Sequence, residues 1–173
     1  MLPPDLAARI FNVSNLKGEF RLRSGTISNE YFDKYLFESD PQLLKEIALA
    51  LQPLIPPGIE ALAGLELGGV PIATMLSQVT GLPALFVRKQ AKEYGTCKLA
   101  EGGDITGKHL LIVEDVVTSG GQVVLSTQEL RNLGAQVTHA VCVIDRESGG
   151  TEKLAAEGLE LRALFKMSEL KQA

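Results

Sequence analysis

Residues 110–122 read Leu-Leu-Ile-Val-Glu-Asp-Val-Val-Thr-Ser-Gly-Gly-Gln, and this segment points to a class of fold. Four apolar residues run into the adjacent carboxylates Glu114 and Asp115, which is typical of a parallel strand buried on both faces. After two valines, Thr118 and Ser119 lead into a glycine pair, and a helix-like segment follows. The pattern predicts a strand, a tight loop and a helix in that order.

The same segment predicts a site for a ribose 5-phosphate. The carboxylates can accept hydrogen bonds from sugar hydroxyls, and loop hydroxyls and helix-start N–H groups can hold a phosphate. The alternative is an ordinary strand-to-helix turn whose acidic residues are solvated or cap the helix. Other phosphate loops fit less well, because the chain lacks both a Gly-Lys-Ser/Thr ending and an early Gly-x-Gly-x-x-Gly.

Composition narrows the class of protein. The chain has 173 residues, which suits one domain. Its formal net charge of −4 argues against a dedicated nucleic-acid binder. A cluster of basic residues nevertheless occurs in one short segment, which suits a small polyanionic ligand: Arg88, Lys89, Lys92 and Lys98.

Three features predict a cytoplasmic protein. Cys97, in a polar loop, and Cys142, in a strand, are interpreted as free thiols of a reducing compartment. The chain has no run of about 18 apolar residues, and its first residues lack the basic and apolar regions of a signal peptide. We therefore expect no contact with membranes or nucleic acid.

Along the chain, strands alternate with helices, which predicts an α/β fold with a doubly wound, mostly parallel sheet. Residues 91–107 are polar and glycine-rich, and are expected to form a mobile loop that does not pack on its own core. Helices are predicted at about 4–11, 41–51, 70–79, 122–133 and 151–156, and strands at 20–23, 31–37, 59–63, 84–87, 110–113, 137–144 and 159–165.

Candidate motifs follow four of these strands, after Ala63, Val87, Val113 and Ile144. Ligands of such sheets bind at the carboxyl ends of the strands. The sequence therefore predicts that all four motifs contribute to one site.

The segment 110–122 resembles the phosphoribosyl pyrophosphate motif of the type I phosphoribosyltransferases. Residues 88–95, Arg-Lys-Gln-Ala-Lys-Glu-Tyr-Gly, resemble the catalytic loop of the orotate phosphoribosyltransferases within that family. A loop that carries cations over a departing pyrophosphate would stabilise growing negative charge. Many members have His at the position of Tyr94. A phenol has an ordinary pKa of about 10, so Tyr94 is assigned to hydrogen bonding.

Residues 64–71, Gly-Leu-Glu-Leu-Gly-Gly-Val-Pro, look like the pyrophosphate loop of the family. Members often carry Lys at the position of Gly68, so pyrophosphate is expected to depend here on backbone N–H groups and the basic loop. The resemblance also implies a non-proline cis peptide between Glu66 and Gly69.

The N-terminal residues resemble the hood of the family. Arg23 precedes Ser-Gly where Lys is frequent, and Tyr31 and Phe32 match aromatic residues beside the pyrimidine. Their alternative role is strand core. Arg146 resembles the residue that contacts orotate, because a guanidinium can pair with a planar carboxylate. Its alternative is a surface salt bridge.

The resemblance implies a single domain over residues 1–173, with a hood formed by about residues 1–40, and orotate phosphoribosyltransferase activity. It also implies Mg²⁺ without direct protein ligands and a homodimer with shared active sites. The alternatives are a purine phosphoribosyltransferase and a non-catalytic phosphoribosyl pyrophosphate sensor. The catalytic candidates are Arg88, Lys92 and Asp115; those for orotate are Tyr31, Phe32, Thr118 and Arg146; those for phosphoribosyl pyrophosphate are Arg23, Glu66, Leu67, Gly68, Gly69, Arg88, Lys89, Lys92, Tyr94, Glu114, Asp115, Val116, Val117, Thr118, Ser119, Gly120, Gly121 and Gln122.

Overall fold

The structure is a computed structural model and describes residues 5–22, 24–91 and 98–173. The helices are α1 (Leu6–Ser14), α2 (Lys34–Ser39), α3 (Pro41–Leu51), α4 (Gly69–Thr80), α5 (Gly121–Asn132), α6 (Gly150–Ala156) and α7 (Met167–Leu170), and a 3₁₀ turn covers Gln52–Leu54. The strands are β1 (Asn15–Arg21), β2 (Ile27–Phe32), β3 (Ala61–Leu65), β4 (Ala84–Val87), β5 (Ala100–Glu101), β6 (His109–Val117), β7 (Gln136–Asp145) and β8 (Glu160–Lys166).

The strands form a six-stranded sheet and a separate hairpin. The sheet has the order β5-β4-β3-β6-β7-β8. All its neighbouring strands are parallel except β5, which is antiparallel to β4. β1 and β2 pair as an antiparallel hairpin in the N-terminal segment. The predicted α/β class and mostly parallel sheet are therefore confirmed.

Apolar side chains cover both faces of the sheet, as a doubly wound fold requires. On one face, Leu130 of α5 and Leu154 of α6 belong to one buried cluster. On the other face, Ile10 of α1, Phe37 of α2 and Leu76 of α4 belong to a second. Because consecutive residues of a strand point to opposite faces, β6 contributes alternately to both clusters.

Residues 34–37, predicted as the second half of a strand at 31–37, are instead the start of α2. The aromatic pattern misled the prediction. Asp33 caps the helix, since its carboxylate accepts a hydrogen bond from the N–H of Tyr35 at 3.1 Å. Lys34 and Glu38 then lie one turn apart on the same face, which brings both towards β6.

The prediction that residues 91–107 do not pack on their own core is wrong where the structure describes them. Leu99, Ala100 and Ile105 are buried in the core cluster that includes α5, and Ala100 pairs with Val87 in the sheet. Spaced apolar residues in a polar segment were too few to predict a strand. Residues 92–97 lie outside the described residues.

Two other differences affect the site or the chain end. β6 continues to Val117, so that Glu114 and Asp115 lie within the strand and not after it. The short helix α7 was not predicted.

Among the helices of residues 5–22, 24–91 and 98–173, none is long and apolar enough to cross a membrane.

Candidate active site

A cavity of about 350 Å³ opens at the carboxyl ends of β3, β4 and β6. The residues that surround it come from the end of β6, the loop that follows it and the start of α5, and from the loop after β3, the residues after β4, and α2. They are Lys34, Tyr35, Glu66, Leu67, Lys89, Glu114, Val116, Val117, Thr118, Ser119, Gly120, Gly121, Gln122 and Val123. Three of the four predicted motifs therefore contribute to it.

The loop between β6 and α5 suits a phosphate group. Gly120 has a φ of +71°, and a Cβ there would lie 2.3 Å from the side chain of Leu154, so the turn requires glycine. α5 begins at Gly121, and the first turn of a helix has N–H groups without partners inside the helix. Together with the hydroxyls of Thr118 and Ser119, these groups can bind an anion.

The two adjacent acids of β6 occupy different environments. Glu114 lines the cavity, and its carboxylate accepts a hydrogen bond from the N–H of Asp115 at 3.0 Å. The side chain of Asp115 is fully buried and does not line the cavity. Burial, and then the hydrogen bond and negative charge of Asp115, raise the pKa of Glu114 well above its ordinary value.

Asp115 is held by groups from two elements, α2 and β6. Its Oδ2 lies 2.6 Å from the Nζ of Lys34, whose side chain is 33% exposed at the cavity. Its Oδ1 accepts a hydrogen bond from the N–H of Val116. Burial opposes ionisation of Asp115, but hydrogen bonding with Glu114, Glu38 and Lys34 outweighs it and lowers the pKa. Asp115 is therefore a buried carboxylate.

Glu38 is the third member of this cluster and is also buried. Burial is the largest cause that raises the pKa of Glu38 to about 9. The hydrogen bond with Asp115 and the negative charge of Asp115 also raise it. A neutral Glu38 can donate a hydrogen bond to the Asp115 carboxylate, which an ionised Glu38 could not do. Lys34, Asp115 and Glu38 are below called the carboxylate cluster.

The loop after β3 approaches this cluster closely. The Glu66–Leu67 peptide is cis, which confirms the expected cis bond. The carboxylate of Glu66 accepts a hydrogen bond from the N–H of Lys89 at 2.6 Å. A Cβ on Gly68 would lie 1.5 Å from Oδ2 of Asp115. This loop therefore passes over the carboxylate cluster without room for a side chain at position 68.

Arg88 does not line the cavity, although it was predicted to act there. Its Nε lies 3.6 Å from a carboxylate oxygen of Glu101 on β5. This ion pair was not predicted, because residues 100–101 were assigned to a loop. Lys89, the next residue, does line the cavity.

Three of the four residues predicted to contact orotate share a second cavity of about 220 Å³. Tyr31, Phe32 and Arg146 all line it. Arg146 follows β7, and its N–H donates a hydrogen bond to the carbonyl of Val117, just before the phosphate loop. Thr118, the fourth candidate, lines the cavity with the phosphate loop instead.

Three candidates lie outside the described residues, and two contributors were missed. Arg23, Lys92 and Tyr94 are not described. Lys34 and Glu38 were missed because their segment was assigned to a strand. Their separation by four residues after a capping Asp was the available signal, since such spacing places two side chains on one face of a helix.

Known proteins resemble this chain over most of its length. The model of the phosphoribosyl transferase domain family matches residues 41–162. An orotate phosphoribosyltransferase from a Nocardioides species is 55% identical over 172 residues, which cover 99% of this chain and 96% of that protein. Two crystal structures of Mycobacterium tuberculosis orotate phosphoribosyltransferase are also similar to this chain, and each alignment covers 96% of this chain and 97% of the other. The complex with Fe(III) dicitrate has a TM-score of 0.88 at 30% identity. The complex with 5-phospho-α-D-ribosyl 1-diphosphate has 0.84 at 27%.

Gly69→Ala should lower the free energy of unfolding by about 1–3 kcal/mol. The added Cβ would lie 2.3 Å from the carbonyl oxygen of Val113, which belongs to the central strand and cannot move away. Urea denaturation measures the change. Gly103→Ala is the control, because its Cβ would meet only the Leu85 side chain, at 3.4 Å. Equal stability of the two variants would contradict this packing.

The Glu38 carboxyl group should make stability depend on pH. In the unfolded chain Glu38 releases its proton above the ordinary pKa of 4.5. In the folded protein it keeps the proton up to a pKa of about 9. The stabilisation by the protonated Glu38 is therefore fully present below pH 4.5 and is lost as the pH rises through the folded-state pKa of about 9. Asp33, Lys34 and Asp115 also face this group.

Urea denaturation of the wild type and of Glu38→Gln at about pH 5.5 and about pH 8.5 isolates this contribution. An amide remains neutral at both values, and Glu114 titrates in both proteins. The wild type should lose stability relative to Glu38→Gln at the higher pH. A difference that stays constant across the range would show that Glu38 is already ionised.

Proposed function

The chain belongs to the phosphoribosyltransferase family and, within it, to the orotate phosphoribosyltransferases, and we propose here how its residues carry out the reaction. The enzyme joins orotate to phosphoribosyl pyrophosphate and releases orotidine 5′-monophosphate and pyrophosphate, a step of pyrimidine biosynthesis. One observation carries the assignment of roles. A phosphate loop, a carboxyl group and two lysines converge on one cavity at the ends of parallel strands.

The loop between β6 and α5 holds the 5-phosphate of the sugar. Its N–H groups and the hydroxyls of Thr118 and Ser119 supply the donors. Glu114 lines the same cavity and accepts hydrogen bonds from ribose hydroxyls. Asp115 lies behind it and supplies a buried negative charge. That charge favours the positive charge that develops on the ribose as pyrophosphate leaves.

The loop after β3 and the residues after β4 hold the pyrophosphate. Glu66, Leu67 and Lys89 line its side of the cavity, whereas the predicted contacts Gly68 and Gly69 do not line it. We assign Lys92 and Tyr94 to the same task from the family resemblance, as residues that close over the pyrophosphate. Arg88 joins them only if it leaves Glu101. The bond from the ribose carbon to pyrophosphate breaks while that to the orotate nitrogen forms, and the proton that this nitrogen loses passes to the departing pyrophosphate or to water.

Orotate lies next to the ribose, on the side of Arg146. A guanidinium can hold the carboxylate of orotate with two parallel hydrogen bonds. Tyr31 and Phe32 line the same cavity and offer aromatic surface to a planar ring. Thr118 lines the cavity of the phosphate loop and not the cavity lined by Tyr31, Phe32 and Arg146. Arg23 is assigned to the phosphates by resemblance.

The donors of the cavity fit Mg²⁺ held mainly by substrate and water. Within residues 5–22, 24–91 and 98–173, no group of three or more His, Cys, Asp or Glu side chains could hold a metal ion. The cavity offers carboxylate and hydroxyl oxygens, which a hard cation accepts. Bound there, Mg²⁺ would neutralise charge on the pyrophosphate. The protein residues orient the substrate around it.

We infer that the enzyme is a homodimer in which Lys92 serves the site of the neighbouring subunit. The family resemblance supports this arrangement. A cytosolic location remains a prediction as well.

The assignment is tested by incubating the protein with phosphoribosyl pyrophosphate and Mg²⁺, and with orotate or a purine base. The ultraviolet absorbance of orotate should change as orotidine 5′-monophosphate forms, while the purine base should be unchanged. Turnover of the purine base alone would favour a purine phosphoribosyltransferase. Binding of phosphoribosyl pyrophosphate without turnover of either base would favour a sensor.

Asp115→Asn should lower kcat strongly, and at least as much as it raises KM. The amide keeps the shape of the side chain and removes the charge that favours the cationic transition state. Initial rates with both substrates measure the effect, and thermal denaturation checks the fold. The control is Glu129→Gln, an exposed acid on α5. Wild-type kcat in Asp115→Asn would refute the assigned role.

Subunit exchange tests the shared site. Lys92→Ala and Asp115→Asn dimers should each be nearly inactive. After random exchange about half of the dimers are mixed, and each of these holds one intact site if Lys92 acts in the neighbour's site. Activity should then rise to about a quarter of the wild type. Mixed dimers that sediment as stable species without any gain in activity would place Lys92 in its own subunit's site.

A further inference from the structure

We propose that Lys34 is a pyrophosphate-binding residue of this enzyme and that its ion pair with Asp115 positions it for that role. The inference rests on the proposed function and extends it to a residue of α2. It depends on where the ammonium group lies, on what surrounds it, and on what the loop after β3 lacks.

The ammonium group of Lys34 lies at the pyrophosphate side of the cavity. Its Nζ is 2.6 Å from Oδ2 of Asp115, and that oxygen is 1.5 Å from the point where a Cβ of Gly68 would stand. The nitrogen therefore lies within about 4 Å of that point. Glu66 and Leu67 of this loop line the same cavity as Lys34. This location favours contact with pyrophosphate over contact with the 5-phosphate.

The loop after β3 has no cation of its own. Residues 66–69 read Glu-Leu-Gly-Gly. A side chain at position 68 would collide with Asp115 and would come within 2.9 Å of Glu38. With Asp115 where it lies in this structure, a lysine at that position would have to displace the Asp115 carboxylate. The cations for the pyrophosphate then come from other elements, namely Lys89 after β4 and Lys34 of α2, which both line the cavity.

The charges of the carboxylate cluster keep Lys34 available for an anion. Burial opposes the charge on Lys34, but contact with Asp115 and its negative charge raise the pKa above the ordinary value. With Glu38 neutral, the cluster has a net charge near zero. If both acids were ionised, the cluster would repel a polyanion. Glu38 thus helps to hold Asp115 without adding charge.

The ammonium group also has donors left for a ligand. An ammonium has three N–H groups, and the Oδ2 of Asp115 is a single acceptor. The side chain is 33% exposed, and it lines the cavity. The ring of Tyr35 lies 5.3 Å from Nζ, a cation–π distance that further restricts where the ammonium group can go.

Binding of two fragments of the substrate tests the inference. Titration calorimetry with inorganic pyrophosphate and with ribose 5-phosphate, each with Mg²⁺, should be carried out on the wild type and on Lys34→Gln. The dissociation constant of pyrophosphate should rise about tenfold, as expected for the loss of a charge-assisted hydrogen bond. That of ribose 5-phosphate should change less than about twofold. Lys34→Arg keeps the charge and should restore most of the lost affinity.

Lys45→Gln is the matched control, because Lys45 is an exposed lysine on α3 outside the cavity. It should bind both fragments as the wild type does. In the Lys34→Gln background, Asp115→Asn should cause little further loss of pyrophosphate affinity, because the residue that Asp115 positions is already absent. Full additivity of the two losses would show that Asp115 does not act through Lys34.

Pyrophosphate affinity within twofold of the wild type in Lys34→Gln would overturn the inference, and so would equal weakening of both fragments. These binding measurements need no turnover. If the wild type binds pyrophosphate through Lys34 but forms no orotidine 5′-monophosphate, the proposed function fails and the binding role stands. If the wild type is active and the variant binds normally, only the inference about Lys34 fails.

Discussion

The ion pair between Lys34 and Asp115 joins the N-terminal segment to the centre of the sheet. A carboxylate buried at this depth is costly unless it is paired and hydrogen-bonded. Here the ammonium group of α2 and a backbone N–H of β6 meet that requirement. The same requirement keeps position 68 free of a side chain. One buried charge therefore constrains the place of α2, the sequence of the loop after β3 and the floor of the cavity.

Much of the fold follows from local patterns. The segment 110–122 predicts a buried strand, a tight loop and a helix, and β6 and α5 are found there. Strands that alternate with helices predict a parallel sheet because parallel neighbours need a crossover between them. The convergence of three motifs on one cavity then follows from the topology, since carboxyl ends of parallel strands share an edge.

The remaining features depend on tertiary contacts. Strand alternation indicates that Glu114 and Asp115 face opposite sides, but only the packing of α2 shows that Asp115 is the buried one. α2 was read as a strand because aromatic residues favour strands when only local pattern is considered. The Glu101 partner of Arg88 depends on β5, whose pairing with β4 is a contact of short segments that few residues encode.

The most direct test is a crystal structure of the protein with phosphoribosyl pyrophosphate and Mg²⁺. The 5-phosphate should accept hydrogen bonds from the loop between β6 and α5. A pyrophosphate oxygen should lie about 3 Å from Nζ of Lys34, over Gly68. A complex in which the pyrophosphate lies away from the loop after β3, with Lys34 contacting only Asp115, would contradict this account.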